Sequence, residues 1–291
     1  MDQPTEIFEQ HRSLLFRLAY GMLGRATAAE DAVQDTFLRW QKQNMKQIQS
    51  PKAWLTKVVN RICLDEIKAA RNRKEKYVGP DLPEPVFTVR NHSPEDMLEL
   101  DESLSMALLF LLNKLNPVQR AVFLLHEVFD YDYASISTIV DKSESNCRKI
   151  LERARNLVRE KRSEFHKTGN RQNFLLGRFV EAIRNRNMQE VESLLSEDAI
   201  MYTDGGNKMP AARKPVKGAG NIVKLITGGP KELAQPYRIE FKTINGGPGL
   251  ALWVKEQLHN VWSFHIEDGK IKTIFVVLNP DKLKHVKKSV Q

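Results

Sequence analysis

The chain has 291 residues, with 45 Lys and Arg against 36 Asp and Glu for a net charge of +9, so it exceeds one ordinary domain and suits a polyanionic partner. Its 41% hydrophobic content is enough for a core in each of two or three modules and excludes a wholly disordered chain. The two cysteines, Cys63 and Cys147, sit far apart within apolar helical patterns, which argues against a disulfide framework or a zinc site and for a reducing compartment. No apolar run approaches membrane-spanning length, and the acidic Asp2, Glu6 and Glu9 do not suit a secretory leader. The expectation is a cytoplasmic protein without membrane association, metal or cofactor.

In chain order, Glu6 to Leu23 has helical spacing and stops at Gly24. A second helix follows, with Thr27 and Glu30 placed for a capping box, Ala29, Val33, Phe37 and Trp40 on one apolar stripe, and Glu30, Asp31, Gln34 and Asp35 on the other face. Ser50 and Pro51 then start a long third helix, in which Leu55, Val58, Val59, Ile62, Ile67 and Ala70 keep helical spacing. It ends in a basic cluster of Lys68, Arg71, Arg73, Lys74 and Lys76. From Val78 to Glu102, Pro80, Pro83, Pro85 and Pro94 interrupt helix, and Asp81, Glu84, Glu95, Asp96, Glu99, Asp101 and Glu102 make an acidic linker. Helical periodicity resumes near Ser103 and runs to about Lys167, broken at Asn116-Pro117 and around Asp130 to Asp132.

After Gly169 the pattern predicts helices at Phe174 to Asn185 and Met188 to Leu195. Alternating strands follow at Arg238 to Ile244, Leu250 to Glu256, Val261 to Glu267 and Ile271 to Leu278. The turns between them are rich in Gly, Asn and Asp, which points to an antiparallel meander in a third, α+β domain. The resulting division is 1–77, a linker at 78–105, 106–167 and 168–291.

Asp132 to Arg159 forms a helix-turn-helix candidate: a short helix with Ile136 and Val140, a turn at Asp141-Lys142, and a longer helix capped by Ser143. At about 100° per residue, Cys147, Ile150, Leu151, Ala154, Leu157 and Val158 share one face of that second helix. Ser145, Lys149, Glu152 and Asn156 point the opposite way, with Arg148, Arg153 and Arg155 on the flanks. Arginine or lysine can bond guanine edges, glutamate can accept from cytosine, and flanking arginines can hold phosphates. The other reading is an ordinary solvated face. The third helix supplies a second basic surface, with Trp54, Asn60 and Asp65 along it; core packing is the other reading for Trp54.

The segment AEDAVQDTFLRW, residues 29–40, resembles the polymerase-binding helix of bacterial sigma factors. Pro51-Lys52-Ala53-Trp54-Leu55 with Asn60, Asp65 and Arg71 is similar to the segment that melts and reads the promoter −10 element, and Leu115-Asn116-Pro117 through Arg155 is similar to the domain reading the −35 element. The resemblance implies two all-α sigma domains, the second with the helix-turn-helix, binding core RNA polymerase and promoter DNA. By that resemblance Asp31, Gln34, Asp35, Phe37 and Leu38 face polymerase. Trp54, Asn60, Asp65, Lys68, Arg71 and Arg73 face the −10 element, and Ser143, Ser145, Asn146, Arg148, Lys149, Glu152, Arg153 and Arg155 face the −35 element. It also implies that the acidic linker mimics nucleic acid in the polymerase channel, a solvated tether being the alternative.

Asp204-Gly205-Gly206-Asn207-Lys208 and Asn279-Pro280-Asp281-Lys282-Leu283 resemble motifs of extracytoplasmic-function (ECF) sigma factors fused to a SnoaL-like (NTF2-like) domain, a curved antiparallel sheet wrapped by helices into a cone. Asp81-Leu82-Pro83-Glu84-Pro85 resembles that subgroup's linker motif, departing at Asp81, where tryptophan is usual; Asn207 departs from a usual glycine. The resemblance implies a built-in regulator working through Asp204, Gly205, Gly206, Lys208 and the 279–283 tail as an intramolecular latch, and leaves room for an unidentified small ligand in the C-terminal domain. Some SnoaL-like relatives are enzymes, for which Tyr202, Asp204, His259 and His265 are the candidate groups; no catalytic residue is assigned. The favoured reading is a monomeric sigma factor. A stand-alone helix-turn-helix regulator and an enzyme with a DNA-binding appendage remain the alternatives.

Overall fold

The computed structural model describes residues 3–73, 79–87, 104–162, 172–228 and 237–288. Lys74, Lys76, Pro94, Gly169 and the acidic linker positions Glu95, Asp96, Glu99, Asp101 and Glu102 lie outside the described residues, as do the side chains of Arg71 and Arg73. Two compact units result: residues 1–75 with 108–161, and residues 76–107 with 162–291.

The first unit is all helical. Helices α1 (Gln3–Leu23), α2 (Ala26–Gln41) and α3 (Pro51–Arg73) pack around Phe8, Leu15, Leu18, Trp40, Leu55 and Val59. Gly24, at φ +67, makes the left-handed turn that separates α1 from α2. The residue entering α2 is Arg25, in extended conformation and without a side-chain cap; Thr27 already lies inside the helix, so the expected capping box does not form. At α3 the Ser50 hydroxyl accepts from the Ala53 amide (3.3 Å) with Pro51 next, as the sequence predicts.

Helices α4 (Met106–Leu112), α5 (Pro117–Glu127), α6 (Tyr133–Val140) and α7 (Glu144–Arg162) follow. Asn116 and Gln119 form a reciprocal capping box at α5 (2.9 and 3.1 Å), and the Asp132 carboxylate caps α6 through the Ser135 amide (2.8 Å). The Ser135 bonds hold the Asp132 carboxyl below its usual range. Asp141 ends α6 at φ +53, a left-handed position in which a short polar side chain replaces the usual glycine.

In the second unit, α8 (Gln172–Arg184), α9 (Met188–Leu194) and α10 (Ala219–Thr227) lie against a six-stranded sheet, and α11 (Pro280–Lys288) closes the chain. The strands are β1 (Leu195–Asp204), β2 (Val216–Lys217), β3 (Tyr237–Ile244), β4 (Gly247–Val254), β5 (Gln257–Glu267) and β6 (Lys270–Val277), in spatial order β2-β1-β6-β5-β4-β3. The predicted meander is β3 to β6. The sheet is mixed rather than wholly antiparallel, because β1 runs parallel to β6, with Met201 opposite Ile274 and Asp204 opposite Val277. Phe179, Leu194, Met201, Ile222, Leu250, Phe264 and Ile274 belong to the core between helices and sheet.

Candidate nucleic-acid interface

On α7 the helical period sorts the side chains with one exception: Leu157, expected on the apolar face, lies at its edge and is 42% exposed. Cys147, Leu151, Ala154 and Val158 are buried, while Ser145, Asn146, Arg148, Lys149, Glu152, Arg153 and Arg155 are exposed. Ser143, also exposed, accepts from the Asn146 amide (3.3 Å) and so starts the helix. Not all the cations are equally available. Arg155 pairs with Glu127 of α5 (2.6 Å), and Arg148 bonds Glu144 (3.2 Å) with its guanidinium 4.6 Å from the centre of the Tyr133 ring. Lys149 and Arg153, with Ser145 and Glu152, form the exposed strip beside them.

The predicted polymerase face of α2 keeps Asp31, Gln34 and Asp35 exposed. Leu38 is 47% exposed, a large apolar side chain in water amid acids, while Phe37 is half-buried 4.8 Å from the Phe8 ring.

Along α3 the predicted −10 residues divide. Asp65 and Lys68 are exposed, 3.7 Å apart. Trp54 is half-buried and tilted against the Trp40 ring at 5.4 Å, so packing accounts for much of its surface. Asn60 is fully buried, and neither its amide nitrogen nor its oxygen has a hydrogen-bond partner. One turn earlier, the Thr56 hydroxyl shares a bond with the Tyr131 hydroxyl (2.9 Å), and Lys57 reaches Asp141 in the helix-turn-helix turn (2.8 Å), holding that carboxyl below its usual range. Arg120 of α5 donates to the Met22 carbonyl at the end of α1 (2.6 Å). Thr56, one turn from Asn60 on α3, is therefore held against the segment leading into α6.

The two thiols are buried. Burial pushes the Cys63 thiol strongly upward, and burial with the nearby Glu144 raises that of Cys147, so both are poor nucleophiles and ligands.

In the second unit the motif residues converge. Asp204, fully buried at the end of β1, accepts from the Lys282 ammonium (2.7 Å) and the Leu82 amide (3.0 Å) on one oxygen, and from the Gly206 amide (3.0 Å) on the other. Its carbonyl accepts from Leu278 and Asn279 (2.8 and 2.9 Å). Lys282 also bonds Asp81 (2.5 Å) and the Leu82 carbonyl. Gly205 is required because a Cβ there would lie 2.1 Å from the Met209 carbonyl oxygen. Gly206, at φ +61, leaves the space that the Asn279 side chain fills. Lys208 pairs with Asp281 (2.5 Å), Pro280 opens α11, and Leu283 is buried.

The linker continues along this surface: Leu82, Pro83, Glu84 and Pro85 are all buried, the Pro85 carbonyl bonds His285 (2.9 Å), and Val86 exchanges backbone and side-chain bonds with Asn245 (3.0 and 3.2 Å). Leu82, Glu84, Asn245 and His285 were absent from the predicted set. Only the Asp81-to-Pro85 motif hinted at them, since their partners lie over a hundred residues away in sequence.

The four candidate catalytic groups do not meet. Strand alternation sends Met201 and Thr203 into the cavity between helices and sheet and turns Tyr202 and Asp204 the other way, Tyr202 stacking on Phe275 (5.6 Å). His259 lines the cavity, where a bulge lets adjacent His259 and Asn260 both face it, whereas His265 does not.

The family model for Sigma-70 region 2 matches residues 7–73, and that for Sigma-70, region 4 matches residues 105–158. The chain is 31% identical to the ECF RNA polymerase sigma factor SigJ of Mycobacterium tuberculosis over 94% of its own length and 91% of that protein. It is 30% identical to that organism's probable ECF RNA polymerase sigma factor SigI over 97% and 95%. The crystal structure of M. tuberculosis SigJ superposes with a TM-score of 0.78 at 29% identity, covering 96% of this chain and 98% of that one. The likeness runs through both helical regions and the C-terminal cone alike, and the chain belongs to the ECF RNA polymerase sigma factors.

Proposed function

We propose that this sigma factor uses the exposed strip of α7 to read a promoter −35 element and α3 to open and hold the −10 element, with Asp31, Gln34, Asp35, Phe37 and Leu38 of α2 docking on core RNA polymerase. The observation that carries this reading is the division of α7 into a buried apolar face and an exposed Ser145-Lys149-Glu152-Arg153 face, a shape and chemistry suited to the major groove. Its work is binding rather than catalysis, done as a monomer in the cytoplasm, where core polymerase and DNA are found.

The buried Asn60 adds a step. Its amide can meet an unpaired base only when α3 separates from the segment around Tyr131 and α6, so productive binding opens the first unit. The Asp81–Asp204–Lys282 cluster acts as a latch that fixes the linker and thereby sets how freely the two DNA-reading modules move apart.

In vitro transcription with purified bacterial core polymerase and a genomic promoter library tests this, comparing the intact chain with one truncated before Asn279. Initiation at a shared two-element motif is expected, with altered output on truncation. Specific DNA binding by the chain alone, with no polymerase-dependent initiation, would sink the reading.

A further inference from the structure

The second unit holds a cavity of about 1000 Å³ between α8, α10 and the concave face of the sheet. Its walls are mainly hydrocarbon, including Phe179, Met201, Leu250, Leu252, Trp262 and Val276. Several of the polar groups inside bond their neighbours. The Thr203 hydroxyl bonds the Ala212 backbone (2.8 Å), and Trp262 donates to Asn260 (2.8 Å), whose amide meets His259 (3.0 Å). A ligand body placed there meets mostly apolar surface, the usual character of a small-molecule site.

Charge selects the ligand's other end. Among the described residues that line the cavity there is no Asp or Glu, and Arg186 carries the one permanent charge. It sits in the turn between α8 and α9 at φ +53, pinned by its amide bond to the Ile183 carbonyl (3.1 Å), with its side chain exposed and, among the described residues, no carboxylate paired with it. Tyr237 and Leu225, both also exposed, share that rim. A cavity lined by a single sign of charge beside low-dielectric walls concentrates the opposite charge, and a guanidinium binds a carboxylate through two parallel hydrogen bonds.

We infer that this cavity binds a monocarboxylate with a bulky hydrocarbon body, the hydrocarbon seated between α8, α10 and the sheet and the carboxylate held at the mouth by Arg186. The inference is independent of how the chain reads promoters.

Calorimetric titration of the full chain with dodecanoate and with dodecan-1-ol, which share a chain and differ in charge, tests it. Dodecanoate is expected to bind at one site, and Arg186→Glu to weaken it by roughly tenfold or more, the scale of a lost charge-assisted bond, while leaving the alcohol unaffected. Ala212→Phe, which intrudes on the cavity from its wall, is expected to weaken both probes. Its thermal melt reports whether the fold is intact, and Arg186→Gln, on an exposed turn, provides a second variant free of that concern. No binding by the intact chain, equal affinity for acid and alcohol, or unchanged dodecanoate affinity in both Arg186 variants would each overturn the inference.

Discussion

The Lys282 ammonium lies 2.7 Å from Asp204 Oδ2, an oxygen that also takes the Leu82 amide at 3.0 Å, so one carboxylate ties the C-terminal helix and the linker to the end of β1. Breaking a buried ion pair by removing one partner strands the other charge and typically costs about 3–5 kcal/mol. Lys282→Met should destabilise the C-terminal unit by that order in urea unfolding and expose the Asp81-to-Phe87 segment to protease. Lys282→Met combined with Asp204→Asn should recover part of the loss, because no unpaired charge remains. Equal stability of wild type and Lys282→Met would remove the latch from the account.

Asp81, the other carboxylate on Lys282, is more than half exposed. Water already screens it, so Asp81→Ala should cost under about 1 kcal/mol, well below the cost of Lys282→Met. The two variants compared in one denaturation series report which carboxylate anchors the lysine.

Burial alone would lower the Lys282 pKa, but Asp81 and Asp204 outweigh it and the net shift is upward from 10.5. A raised folded-state value means that the latch contributes fully below the ordinary lysine value and is lost only as pH climbs through the higher, folded one. Stability of the C-terminal unit should therefore show an alkaline decline beginning above about pH 10. Lys282→Met should lack that limb in a pH series of thermal melts.

Gly205 is constrained by its surroundings and not by its φ, unlike Gly218. At Gly205 a Cβ would meet backbone at 2.1 Å, whereas at Gly218, φ +88, the nearest atom is 3.8 Å away. Gly205→Ala should cost about 1–3 kcal/mol and loosen the latch, since backbone must move to admit the methyl group. Gly218→Ala carries only the conformational strain, about 1 kcal/mol. A reversed order in chemical denaturation would show that the 205–209 turn yields easily.

How much of this was readable follows from the range of the interactions. Ser50-Pro51, Asn116-Pro117 and Asp132 start helices through partners within three residues, and the α7 face follows from the helical period, so these are legible in the chain. Arg25, rather than Thr27, precedes α2 because the turn at Gly24 lets the helix begin two residues sooner than the capping pattern suggests. Strand β1 escapes because its main partner, β6, is about seventy residues away and parallel, leaving no hairpin signal between them. The linker reads as polar and acidic, yet Leu82 to Pro85 are buried by α11 and the end of β1, partners that no local pattern reveals. Asn60 is legible as a residue type suited to base contact, but its burial is a property of the folded unit alone.

That burial sets stability against function. Both polar atoms of the Asn60 amide lie buried without hydrogen-bond partners, a state that costs about 1–3 kcal/mol relative to a satisfied or apolar group. Asn60→Leu, which keeps the branched skeleton and replaces the amide with two somewhat larger methyl groups, should therefore stabilise the free chain by about 1–2 kcal/mol, a rise visible as a higher Tm. The same change deprives α3 of its amide, and promoter opening, followed by permanganate reactivity of unpaired thymines, should fall while binding of core polymerase persists. Tyr131→Phe acts in the opposite direction: it removes the bond to Thr56 (2.9 Å), costs about 1 kcal/mol, and should ease separation of α3 from α6 and so raise opening. A destabilising Asn60→Leu would mean that the amide has a structural partner, and full opening activity in that variant would mean that the buried asparagine takes no part in holding melted DNA.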